Sequence, residues 1–138
     1  MDNATFGFKN DFEFFRKLKQ LGEKALPACG GSLYRSGQKI ITRSKEVYCP
    51  VLTGTLRSTL TGGEPEYHGH TVSVKLSAGG PAAPYAAEVH ENMNPGVNWT
   101  KPGTGPKYLE TPMNEAVQEI MTDLRDDINE ALEEYLGS

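Results

Sequence analysis

The hydrophobic period of this chain changes twice, and each change limits what the next stretch can become. From about Ser32 to Tyr48, the residues Leu33, Gly37, Ile40, Ile41, Ser44, Val47 and Tyr48 recur at the spacing of one face of an α-helix. Arg35, Lys39, Arg43 and Lys45 lie largely off that face. Over Thr71 to Leu76 the period drops to two, with Val72, Val74 and Leu76 on one side and Thr71, Ser73 and Lys75 on the other. It returns to 3.6 from about Thr111, where Met113, Val117, Ile120, Leu124, Ile128, Ala131 and Tyr135 form a stripe. Pro112 stands in the first turn of that helix and Gly137 past its end. Two more extended segments are predicted, Thr59 to His68 and Tyr85 to Glu91, the second sending Tyr85, Ala87 and Val89 to the core. Their short connections favour antiparallel pairing. The fold class is therefore α+β: an antiparallel sheet of three to four strands packed against a long central helix and a C-terminal helix. One domain accounts for residues 1–138.

Three punctuated regions join these elements. Ahead of the central helix, Asp11 can cap a short helix with Phe12, Phe15, Leu18 and Leu21 on its apolar side, which Gly22 and Pro27 interrupt or restart. After it comes "CPVLTGTLRSTL". Pro50 disfavours helix in the residue before it, so the helix ends near Cys49. Gly54 can take the positive φ that lets the chain reverse, and Thr53 and Thr55 can bond freed backbone groups. Leu56 to Leu60 then reads either as an extended segment or as a final helical turn. The third region, 92–106, carries three prolines, three glycines and the one tryptophan, Trp99. Loops of this length without their own structure are functional or disordered. Trp99 has two readings: a plug folded back into the domain's own core, or an anchor that projects into a neighbouring subunit together with its flanks Asn98 and Lys101.

Charge is unevenly placed. Residues 1–60 hold ten Lys/Arg against five Asp/Glu, whereas residues 110–138 hold Arg125 alone against nine acids. Each charged face can simply solvate its helix, or the two can orient the domain between different neighbours. No basic stripe is interleaved with aromatics, so sequence-specific reading of nucleic acid is not expected. No apolar run reaches the roughly 18 residues of a membrane helix, and Met1 to Asn10 lacks the pattern of a signal peptide. Cys29 and Cys49 are accordingly expected to be reduced thiols. A catalytic site is not expected. His68, His70 and His90 are the best candidates for one: the first two would point to one face of a strand, and the third could add a zinc ligand from another. No Cys-x-x-Cys or His-Glu-x-x-His spacing accompanies them, and the glycine-rich Gly103-Thr104-Gly105 lacks the lysine of a phosphate loop. No cofactor or metal is implied.

One resemblance covers roughly residues 33–136. Pro50, Val51, Thr53, Gly54, Leu56 and Arg57 match a "Pro-Val-x-Thr-Gly-x-Leu-Arg" signature, and Thr59 stands where a serine is common. Tyr85, Ala86 and Val89 match a "Tyr-Ala-x-x-Val" segment, although His90 replaces a more usual acid or aromatic residue. Leu109 and Pro112 fit the start of the last helix. In this order the motifs resemble a family of small morphogenesis proteins encoded between the head and tail genes of tailed phages. The resemblance implies a non-enzymatic structural protein of the virion neck, assembled in the host cytoplasm. It would form a homo-oligomeric ring, hexameric in this reading, that joins a head-side connector or head-closure protein to the tail terminator or tail tube. DNA would pass through its lumen without sequence-specific binding. The alternatives are a tail-terminator or minor tail component and, in a different class, a small metal-dependent hydrolase using His68, His70 and His90.

Overall fold

The computed structural model describes residues 11–51, 54–94, 99 and 103–137, with side chains from Gln20 onward. Phe12, Phe15 and Leu18 thus lie outside the described side chains, and Thr53, Asn98 and Lys101 outside the described residues. The elements run α1 (Asp11–Arg43), a wide π-type turn (Ser44–Tyr48), α2 (Thr55–Ser58), β1 (Thr61–Gly62), β2 (Glu66–His68), β3 (Thr71–Ser73), β4 (Leu76–Ser77), α3 (Ala86–Glu91), α4 (Glu110–Glu115) and α5 (Val117–Gly137). The architecture is mixed α+β and rich in helix.

α1 is one helix of 33 residues, about 50 Å long at the usual rise, not the two expected around Gly22 and Pro27. Its C-terminal partner explains the continuity. α5 lies antiparallel along it and holds it on both sides of Pro27. Before the proline, the Tyr135 hydroxyl donates to Gln20 Oε1 at 2.7 Å and Lys24 Nζ sits 5.9 Å from the Tyr135 ring. After it, Arg35 pairs with Asp127. Packing on both sides of the proline overrides the local preference to break. The helix does end where Pro50 predicts: Cys49 N–H reaches back to Ser44 O at 2.7 Å, and the chain leaves in an extended conformation.

The four strands pair antiparallel as two separate two-stranded sheets rather than one sheet of three to four strands, set end to end as a ribbon of two steps. β1 pairs with β4 (Thr61 with Ser77, Gly62 with Leu76), and the β2–β3 hairpin extends it (Glu66 with Ser73, His68 with Thr71). Between the steps Gly63 N–H still donates to Lys75 O, whereas Pro65 has no N–H to continue the ladder. The alternation over Thr71 to Leu76 is as predicted, with Val72, Val74 and Leu76 half-buried and the intervening residues exposed. The ribbon lies on α1 where that helix has no side chain. A Cβ on Gly30 would strike the Tyr67 ring, and one on Gly37 would crowd Leu76 and Val74.

The third predicted strand is a helix. In α3, Ala86 and Val89 turn inward at helical spacing while Tyr85 and Ala87 are exposed. Ala-Ala-Glu is a strong helix-forming run, and three alternating residues are too few to outweigh it. The stripe predicted for the last helix also divides. Ile120, Leu124, Ile128, Ala131 and Tyr135 are half-buried against α1, but Met113 and Val117 are exposed. α5 has no fully buried residue. The fully buried core lies at the other end of α1, where Ile41, Cys49, Leu56, Leu60, Ala83, Ala86 and Tyr108 make one cluster.

Candidate functional site

The two motif stretches meet in that cluster. Leu56 comes from α2, Ala86 and Val89 from α3, and Tyr108 from the chain returning after the long loop. Gly54 sets up the first of these. Its φ of +83° starts α2, whose first internal bond runs from Ser58 N–H to Gly54 O at 3.0 Å. Among the described residues beyond its chain neighbours no atom stands within 4 Å of where its Cβ would be, so the backbone conformation is what asks for glycine. Of the two readings of Leu56 to Leu60, the helical turn is the one formed. Thr59 caps it, donating to Leu56 O at 2.6 Å and accepting from Gly79 N–H at 2.8 Å, which ties the motif to the far end of the ribbon.

Tyr108 is the centre of the joint. Its hydroxyl donates to Ala86 O at 2.8 Å, and its carbonyl accepts from the buried Ser44 hydroxyl at 2.5 Å. One residue therefore bonds the end of α1 and the start of α3. Burial pushes its phenol up to about 12, with the Cys49 sulfur a smaller contributor. Burial likewise pushes the Cys49 thiol up to about 11, partly offset by Arg57. Cys49 stays a protonated thiol at neutral pH and packs as a small apolar group.

The segment 92–106 springs from this joint and returns to it. Lys107 N–H donates to His90 O at 2.7 Å, and Gly105 N–H donates to Tyr48 O at 3.1 Å. Lys107 has φ +57°, the one positive value on a non-glycine residue among the described residues. Its ammonium bridges Glu91 and Glu110, the latter at 3.4 Å. That ammonium, then the His90 hydrogen bond, holds the Glu91 carboxyl below its ordinary range, and Glu91 in turn raises Lys107. His90 completes the clasp. Glu110 N–H donates to its Nε2, so its Nδ1 carries the proton given to Glu91 Oε1 at 2.9 Å, and its ring meets Tyr108 edge-on. Thr104, Gly105 and Tyr108 are all buried. Thr104 and Gly105, where the loop returns, are part of the core, which its proline and glycine content did not suggest. The adjacent Tyr108-Leu109 pair was the signal available in the sequence.

Trp99 is half-buried, with its indole against Gly105; a Cβ there would lie 3.1 Å from Nε1. The three histidines do not converge. His68 and His70 are exposed at the tip of the ribbon, while His90 sits on α3 in its clasp. No group of three His, Cys, Asp or Glu side chains suited to a metal ion occurs among the described residues. Nor, among them, is any helix long and apolar enough to cross a membrane.

The charge division seen along the sequence closes largely within the subunit. Arg35 pairs with Asp127 at 2.6 Å, Lys39 with Glu119 at 3.5 Å and Asp123 at 3.9 Å, and Arg43 with Glu115 at 3.8 Å. The acidic α4–α5 segment thus faces the basic side of α1, and this much of the asymmetry is spent inside the fold. No protein-family model, curated protein or solved structure matches the chain.

Proposed function

We propose that this chain is a structural subunit of a tailed-phage neck, forming a ring between the head-side connector and the tail. The reading is supported by one observation: the residues that carry the resemblance, Leu56, Ala86 and Val89, pack together as the joint from which the long loop departs. A motif that builds the root of an extended loop suits a protein whose work is association. Charge pairing within the subunit leaves the loop, rather than opposed charged faces, as the device that reaches a neighbour. Trp99 is the large apolar group at its centre, and tryptophan is enriched among residues that anchor interfaces.

The test is a Trp99→Ala variant expressed in trans to a phage lacking its own copy. The expected outcome is a folded subunit of near-normal melting temperature that yields heads and tails but no joined, infectious particles. Full complementation would remove the loop from assembly. A collapse in melting temperature would assign Trp99 to the subunit core instead. Imaging of the neck in complemented particles shows directly whether added density is a ring beside the connector.

A further inference from the structure

The outward side of α4–α5 differs from the rest of that acidic segment. Met113, Val117 and Met121 succeed one another at intervals of four and are 42%, 46% and 55% exposed. Their exposed neighbours Asn114, Gln118 and Thr122 are uncharged, although the stretch 110–138 contains nine acids. The two helices run almost as one here, since Ala116 N–H donates to Pro112 O and Ile120 N–H to Ala116 O. A methionine-rich, charge-depleted centre with charge at its ends is the composition of a protein–protein interface. Beside Met113 the surface opens into a crevice of about 370 Å³ lined by Val74, Leu76, Leu109 and Met113 together with His90 and Glu110.

We infer that this strip is the contact surface for a second copy of the same chain, packed antiparallel about a two-fold axis at Val117. The spacing of the strip supports that register. Met113 and Met121 lie four residues to either side of Val117, so each methionine meets the partner's other one. The partner's Met121 is thereby brought to the crevice next to Met113. The charges support it independently. Arg125, the single cation of the segment, lies eight residues beyond Val117, makes no ion pair among the described residues, and falls opposite the partner's Glu110, seven residues before it. Glu110 belongs to a cluster with excess negative charge, two carboxylates sharing Lys107. Each copy therefore offers an anionic end and a cationic end, and only the antiparallel arrangement matches them twice.

This pairing is distinct from the neck reading and stands or falls without it. Sedimentation of the purified full chain against concentration is expected to show a monomer–dimer equilibrium. Met121→Glu is expected to leave only monomer, with melting temperature and helical circular dichroism unchanged. Arg125→Glu is expected to weaken the dimer about tenfold or more, and adding Glu110→Arg to restore it. In a Cys29→Ser background, Val117→Cys is expected to form a disulfide with itself under mild oxidation, because the axis places that position against its own copy. A wild-type chain that stays monomeric overturns the inference. So does an oligomer that survives Met121→Glu, a charge swap that restores nothing, or a Val117→Cys variant that does not cross-link.

Discussion

The two ends of α1 are held by different physics. At its C-terminal end, Tyr108, Cys49, Leu56 and Ala86 are fully buried, and the polar atoms of Tyr108 and Ser44 are bonded to backbone. From Gln20 up to that end, α1 is covered by the ribbon and by α5, which buries no residue completely and adds ion pairs whose side chains remain largely in water. Small residues, Ser32 and Ser36, line the buried side of α1, and the Ser32 hydroxyl has no hydrogen-bond partner among the described residues. Burial stabilises in proportion to apolar area removed from water, whereas an exposed ion pair contributes little. The joint therefore determines whether the domain folds, and the helical pair determines its reach.

Removing the centre of the joint gives the largest expected effect. Tyr108→Ala deletes a buried aromatic ring and its bond to Ala86 O, and should cost about 3–5 kcal/mol, measured by urea denaturation followed by circular dichroism. A loss no greater than that of an α5 substitution would erase the distinction between the two ends.

Alkaline pH separates them without mutation. Cys49 and Tyr108 both have folded values raised above their ordinary 9.0 and 10.0, so the fold favours their neutral forms. The stability they contribute is complete below about pH 9 and is lost as pH rises through about 11 and 12. Denaturation midpoints should fall above about pH 9, and Cys49→Ala should remove the earlier part of the fall.

The smallest effect belongs to the helical pair. Arg35→Ala should cost about 0.5 kcal/mol or less at low salt and nothing measurable at high salt, because the Arg35 side chain is 60% exposed. A loss above about 2 kcal/mol would mean that the α1–α5 contact works like the joint.

The sequence announced the periodic elements because packing and local preference agree in them. The strand over Thr71–Leu76, the helix stop at Pro50 and the reversal at Gly54 all follow from residues acting within a few positions of themselves. The failures lie where distant contacts decide. Gly22 and Pro27 look like helix breakers until α5 is laid along α1 on both sides of the proline. Val89 faces inward in either a strand or a helix, and only Ala86 taking the place expected of Ala87 tells them apart. Tyr108 follows a proline- and glycine-rich stretch, so its role as the core residue joining α1 to α3 had no local signal beyond its neighbour Leu109.

The long-range pairing of α1 with α5 also constrains the order of events at the ribosome. The ion pairs between these helices span 80 to 92 residues of chain, as in Lys39–Glu119 and Arg35–Asp127. α1 is synthesised well before α5. Until α5 clears the exit tunnel, the basic side of α1 has no acidic helix to cover it. The nascent chain can close its joint as soon as Tyr108 is out, but its cationic flank stays open to anionic surroundings until α5 follows.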